Sequence, residues 1–263
     1  MRRSRGWFER GGVVRTASRM LGLAGLVLCL PSALPAQSVS PPIAEYQERA
    51  RSSFQLTNGS LYPLNVVLTL RGFRVSERGD VLDAPLDTTR LHIKLSAMSF
   101  RIPPRATYTV FYEARADSLP AWFNIVSAMT GARTDSGLNV RILLPHVVYL
   151  NQKQRLRQED VVVRAFEFDP VAHIVRTQLE NLSPRLGRVL EVTASDGDHH
   201  SAPGGGFPLF PHSLRWTESA WPGADPPTRL TVRTARFTLD TLLTATPTPA
   251  PATAAAARGL STP

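Results

Sequence analysis

Phe54-Gln55-Leu56-Thr57-Asn58-Gly59-Ser60, followed by Val66-Val67-Leu68-Thr69-Leu70-Arg71, is the stretch whose reading decides the fold. Phe54 and Leu56 alternate with Gln55 and Thr57, and Val66, Leu68 and Leu70 alternate with Val67, Thr69 and Arg71. Period two is the mark of a strand with one buried face. Asn58-Gly59-Ser60 supplies a turn between the two runs. Outward from there the pattern repeats. Glu77–Asp80 reads as a polar turn with Gly79 at its tip, and Leu91, Ile93 and Leu95 alternate with His92, Lys94 and Ser96. Phe100 and Ile102 make a short strand closed by Pro103-Pro104, and Tyr108, Val110 and Tyr112 make the next. Trp122, Phe123 and Ile125 follow Leu119-Pro120, Gly131–Gly137 is a polar loop, and Leu138–Leu150 is a long apolar run containing Pro145. Strands at this spacing, with turn chemistry between them and no helical run with matching caps, predict an all-β sandwich.

Asn151–Asp160 is charged and poor in apolar residues, and reads as a connector. Beyond it strands are expected at Val161–Phe168, Ala172–Leu179, Arg188–Thr193, Phe207–Phe210, Leu214–Thr217, Leu230–Val232 and Phe237–Leu239. The expected organisation is a leader over residues 1–36, sandwiches over 37–153 and 154–243, and a Thr/Pro/Ala tail over 244–263 that cannot bury a core. The leader reads as a cleaved signal peptide: arginines, the apolar run Met20–Leu30, then small residues before a cut after Ala36. Its removal takes away the single cysteine, Cys29, and with it any disulfide or thiolate metal site.

The formal charge of the 263 residues is +9, but five of those charges lie ahead of Met20, so the remainder is mildly basic. No concentrated basic stripe with aromatic platforms points to nucleic acid. No nucleophile elbow, phosphate-binding glycine loop or zinc-protease helix is present, and a non-enzymatic protein without cofactor is expected. Asp196, Asp198, His199 and His200, with His173 or His212, form the one cluster of metal-ligand character; adjacent histidines on a glycine-rich stretch read as a solvated loop.

The order of these motifs resembles the PapD-like periplasmic pilus-assembly chaperones. The resemblance rests on Phe54-Gln55-Leu56-Thr57-Asn58 with Pro63, on Phe100-Arg101-Ile102-Pro103-Pro104, and on Leu119-Pro120-Ala121-Trp122-Phe123-Asn124-Ile125. It continues through Val140–Leu150, then Leu179-Glu180-Asn181 and Phe210-Pro211-His212-Ser213-Leu214-Arg215, spanning residues 38–243. It implies two immunoglobulin-like (PapD-like) sandwiches in the periplasm. They would grip an incomplete pilin-like subunit by lending it a strand, with an outer-membrane usher as a further partner. The lending segment would be Val147, Val148, Tyr149 and Leu150. The family holds the subunit's terminal carboxylate with an arginine on the first strand and a lysine on the lending strand. Here Pro42 or Ile43 and His146 stand at those places, leaving Lys153 and Arg155 as the cleft cations. Two functions fit this reading, a chaperone and a structural or adhesive envelope module. The lending strand separates them: a chaperone needs it exposed, a module needs it paired. An exposed edge also favours a homodimer.

Overall fold

The computed structural model describes residues 37–133 and 139–243. The expected leader with Cys29, and the expected tail, lie outside these residues. The first ten strands are β1 (Ser38–Ser40), β2 (Ile43–Gln47), β3 (Arg49–Thr57), β4 (Leu64–Val75), β5 (Val81–Ala84), β6 (Leu91–Leu95), β7 (Ser99–Ile102), β8 (Thr107–Ala116), β9 (Ala121–Arg133) and β10 (Asn139–Asn151). They form two sheets, one ordered β1-β3-β8-β6 and one ordered β2-β10-β9-β4-β5 with β7 beside β4. After a single 3₁₀ turn at Gln158–Asp160 come β11 (Val161–Asp169), β12 (Ile174–Asn181), β13 (Gly187–Ser195), β14 (Phe207–Leu209), β15 (Leu214–Ala220), β16 (Arg229–Thr234) and β17 (Thr238–Leu242). These make a β11-β12-β15 sheet packed on a β14-β13-β16-β17 sheet. The fold is all-β, two sandwiches in one chain.

Alternation accounts for the packing. Phe54 and Leu56 of β3, Leu64, Val66 and Leu68 of β4, Val110 and Tyr112 of β8, and Phe123 and Ile125 of β9 are buried in one core. Each such side chain contributes about 1.5–3 kcal/mol by leaving water. Val161, Val175, Leu179, Val189, Val192, Trp221, Leu230 and Val232 form the second core. One expected strand starts later than its sequence indicates. Ala172 and His173 belong to a turn because the Asp169 carboxylate accepts the Val171 and Ala172 amides at 3.0 and 2.9 Å. Those bonds hold the Asp169 carboxyl below its usual range.

Each sandwich carries the same hydrogen-bonded knot. Asn58 is fully buried; its amide donates to the carbonyls of Tyr62, Ile102 and Pro103, while its oxygen accepts the Ser60 N–H and hydroxyl at 3.0 and 2.7 Å. Asn181, also fully buried, donates to the carbonyls of Arg185, Leu209 and Phe210 and accepts both donors of Ser183 at 3.0 and 2.8 Å. The match extends further. Arg105 and His212 both have positive φ, and each donates its N–H at 3.2 Å to the serine carbonyl of its own knot.

A cluster of Phe73, Tyr149, Leu186 and Phe210, flanked by Val75, Trp122 and Val147, joins the two sandwiches. The Trp122 indole donates to the Phe73 carbonyl at 2.9 Å, fixing one side of the cluster. The Gln152 side chain forms a bracket on Leu186, donating to its carbonyl at 3.0 Å and accepting its N–H at 3.3 Å. On the other side, the β4–β5 turn lies against β15, where the Trp216 N–H donates to the Glu77 carbonyl at 2.7 Å. Gly79 has φ +100°, and an added Cβ would sit within about 2 Å of the Arg215 guanidinium. Arg215 therefore lies flat between the Gly79 backbone and the Phe207 ring, 5.2 Å from its centroid. A planar, weakly hydrated guanidinium tolerates such a slot. Its Nε and Nη1 are buried without a hydrogen-bond partner among the described residues, and desolvation lowers its pKa.

Candidate functional site

β10 is the centre of the site. Along one edge it pairs with β9 in antiparallel register from Asn139 to Leu150. Along the other it pairs in parallel with β2, but only over Val147–Asn151 against Ile43–Gln47. β1 runs in the opposite sheet, and the chain crosses at Pro41-Pro42 to enter β2. The Val147 N–H donates to the Pro42 carbonyl at 2.8 Å, closing the parallel ladder at its upstream end. Among the described residues nothing pairs with this edge from Asn139 to His146.

This placement differs from the one read from sequence. Val147, Val148, Tyr149 and Leu150, the segment the resemblance offers for lending, are paired on both sides. Val148 and Leu150 are core residues of the first sandwich, and Val147 and Tyr149 belong to the junction cluster. The open part of the strand lies upstream. There Ile142 and Leu144 turn toward the core, whereas Arg141, Leu143 and Pro145 face outward, Leu143 being 54% exposed.

His146, which the resemblance puts where the family's lysine stands, is fully buried. Its Nδ1 donates to the Pro41 carbonyl at 2.7 Å. With that tautomer, Nε2 accepts from the Tyr112 hydroxyl at 3.1 Å, which in turn accepts from the Tyr46 hydroxyl at 2.9 Å. The imidazole is stacked on Phe54 at 4.5 Å. Burial lowers the His146 pKa, and the Pro41 bond opposes this. The ring holds the β1–β2 crossing against the core; it is not a cleft anchor. The signal was in the sequence, since His146 shares strand parity with Val148 and Leu150.

Beside the junction cluster, a cleft of about 290 Å³ is lined by Glu45, Tyr149, Gln152, Arg155, Arg188 and Arg236 among others. Glu45 of β2 stands opposite Tyr149 of β10. Arg188 of β13 forms an ion pair with Glu45 and lies 5.7 Å from the Tyr149 ring centroid. Desolvation raises the Tyr149 pKa, with Arg188 acting against it. Arg155 and Arg236 have no carboxylate within ion-pair distance among the described residues, so three guanidinium groups face one carboxylate. Lys153, expected as a cleft cation, forms an exposed ion pair with Glu48 at 3.4 Å. Sequence reasoning missed Glu45 and Arg188. They are 143 residues apart, and neither stands out in its strand.

The histidine loop is self-contained. His199 bonds to Asp196 at 3.0 Å, His200 bridges back to Ser195, and no cluster of three metal-ligating side chains occurs among the described residues.

No family profile and no curated protein matches this sequence. Among solved structures, the YadV chaperone superposes with a TM-score of 0.50 at 10% identity, covering 79% of this chain and 99% of that one. The chain has the PapD-like chaperone fold. The SafB chaperone, solved in complex with the SafA pilin of Salmonella enterica, gives 0.48 at 11% identity over 79% and 96% of the two chains. In this fold Arg188 reaches the cleft from the second sandwich and pairs with Glu45 of β2, in the first.

Proposed function

We propose that this protein is a periplasmic chaperone that holds an incomplete β-sandwich subunit of a surface appendage and assists its assembly. The observation that carries this reading is the open edge of β10 over Asn139–His146, with Ile142 and Leu144 turned toward the core beneath it. A guest strand or groove added there gains main-chain hydrogen bonds along the edge and side-chain pockets at alternate positions. In this reading the lending segment would be Val140–Leu144, upstream of Val147–Leu150. The guest's terminal carboxylate would meet Arg155, Arg188 and Arg236 in the cleft, displacing Glu45 from Arg188. Cleavage after Ala36 would release the protein into the periplasm. An outer-membrane usher would receive the loaded complex. Without a guest, two copies would cap each other along the same edge.

A second reading, a structural or adhesive envelope module, is favoured by one observation: Val147–Leu150 is paired on both sides. Co-purification from the native envelope separates the two. Wild type should retain a small β-rich partner that Ile142→Asp/Leu144→Asp loses while its thermal unfolding stays cooperative. A partner retained by that folded variant, or none with wild type, rejects the chaperone reading and leaves the module.

A further inference from the structure

The first sandwich has a second unusual surface, on the sheet that does not contain β10. Read across β3, β8 and β6, its outer face carries Arg49, Arg115 and His92 in one row, and Arg51, Glu113 and Lys94 in the next. Ser53 and Phe111 stand together in the row after that. Arg49 and Arg115 are direct cross-strand partners, both exposed. Like charges in that relation destabilise a sheet. Glu113 is taken by Arg51 at 3.2 Å and Asp117 by His92 at 3.3 Å. Arg49, Arg115 and Lys94 have no carboxylate within ion-pair distance among the described residues.

Amid this charge Phe111 is 62% exposed. Its backbone is held twice by Ser96: the Phe111 N–H donates to the Ser96 hydroxyl at 3.0 Å, and its carbonyl accepts the Ser96 N–H at 2.9 Å. The aromatic ring thus starts from a fixed backbone, beside a shallow depression lined by Arg51, Ser53, Lys94, Ser96 and Glu113. A local rule broken without any compensating contact marks a surface kept for something other than stability. Arginines around a rigid aromatic residue form the composition of protein interface cores. A membrane-binding face instead presents several apolar groups for insertion beside its cations, and this face has one.

We propose that the outer face of the β1-β3-β8-β6 sheet docks an acidic protein surface, whose carboxylates meet Arg49, Arg115 and Lys94 while an apolar side chain covers Phe111. The site is separate from the cleft and does not depend on the chaperone reading.

The test uses the purified full chain with a glutamate–tyrosine copolymer as probe, and vesicles of equimolar phosphatidylcholine and phosphatidylglycerol as the competing surface. Wild type should bind the copolymer in a salt-sensitive manner. Arg49→Glu/Arg115→Glu should weaken that binding by about tenfold or more. A charge-matched control on other exposed positions, Arg74→Glu/Arg229→Glu, should change it little, and Phe111→Ser should weaken it with no change of charge. Arg115→Glu alone should raise the melting temperature, since it turns a like pair into an opposite pair. A folding defect is thereby distinguished from lost binding. Equal loss in the face and control variants would reduce the effect to diffuse net charge. No copolymer binding, or vesicle binding alone, would also overturn the proposal.

Discussion

The two asparagine knots are chemically the same device set in two different places. Asn58 closes the turn from β3 into β4, and Phe73, where β4 reaches the junction, is nine residues or about 30 Å along that strand from its first residue, Leu64. Asn181 instead bonds directly to the carbonyl of Phe210, whose ring packs on Phe73, Trp122 and Tyr149. Its loop also contains Arg185, paired with Asp160 at 2.7 Å, and leads to Leu186, which is bracketed by Gln152. The first knot closes a core. The second closes a core and fixes the wall against which the cleft is built. One hydrogen-bonding pattern, used twice, acquires its second role only from the residues that follow it.

The largest expected effect tests that difference. Asn58→Ala and Asn181→Ala each orphan several buried backbone groups and should each cost about 3–5 kcal/mol in urea unfolding. Only Asn181→Ala should also speed hydrogen exchange at the Trp216 amide, which bonds across the junction to Glu77. Equal exchange in both variants would break the comparison. Gly79→Ala, at φ +100° and against Arg215, should cost about 1–3 kcal/mol and act on the junction while leaving both knots protected. Protection lost at Asn58 or Asn181 would show that the junction and the cores are not separable.

The smallest expected effect is acid sensitivity confined to the first sandwich. His146 is held neutral by burial, with its pKa below the ordinary 6.5. The unfolded chain therefore takes up a proton that the folded one refuses. Stability is complete above about pH 6.5 and falls as the pH drops toward the folded pKa, by at most about 1.4 kcal/mol per unit. Unfolding followed at pH 7.5 and 5.5 by tyrosine signals should show the loss, and His146→Gln should flatten it. An unchanged slope in that variant would assign the sensitivity to other groups.

The sandwich class was legible because alternation reports which face of a strand is buried, and Phe54, Leu56, Val66 and Leu68 fall where their parity puts them. Alternation is silent about edges. It could not show that β2 would close the lower half of β10 and leave the upper half open, because a parallel pairing across a hundred residues leaves no local periodicity. For the same reason the sequence offered Val147–Leu150 as the lending segment, whereas the proposed function uses Val140–Leu144 upstream of it. Asn58 was legible as a turn residue through its bonds to Ser60 and Tyr62, but its bonds to the carbonyls of Ile102 and Pro103 were not, because only the fold brings those residues near. The Glu45–Arg188 pair spans both sandwiches and had no local signal at all.

The parallel ladder that stops at Val147 also sets a length. The exposed edge from Asn139 to His146 measures about 26 Å at the rise of a strand. A guest annealed to it meets a fixed stop at Pro42, whose carbonyl already holds the Val147 amide. On the proposed reading the first sandwich would be a ruler as well as a surface: the described edge would take an extended segment of about eight residues, and one running past Pro42 would leave its end unpaired.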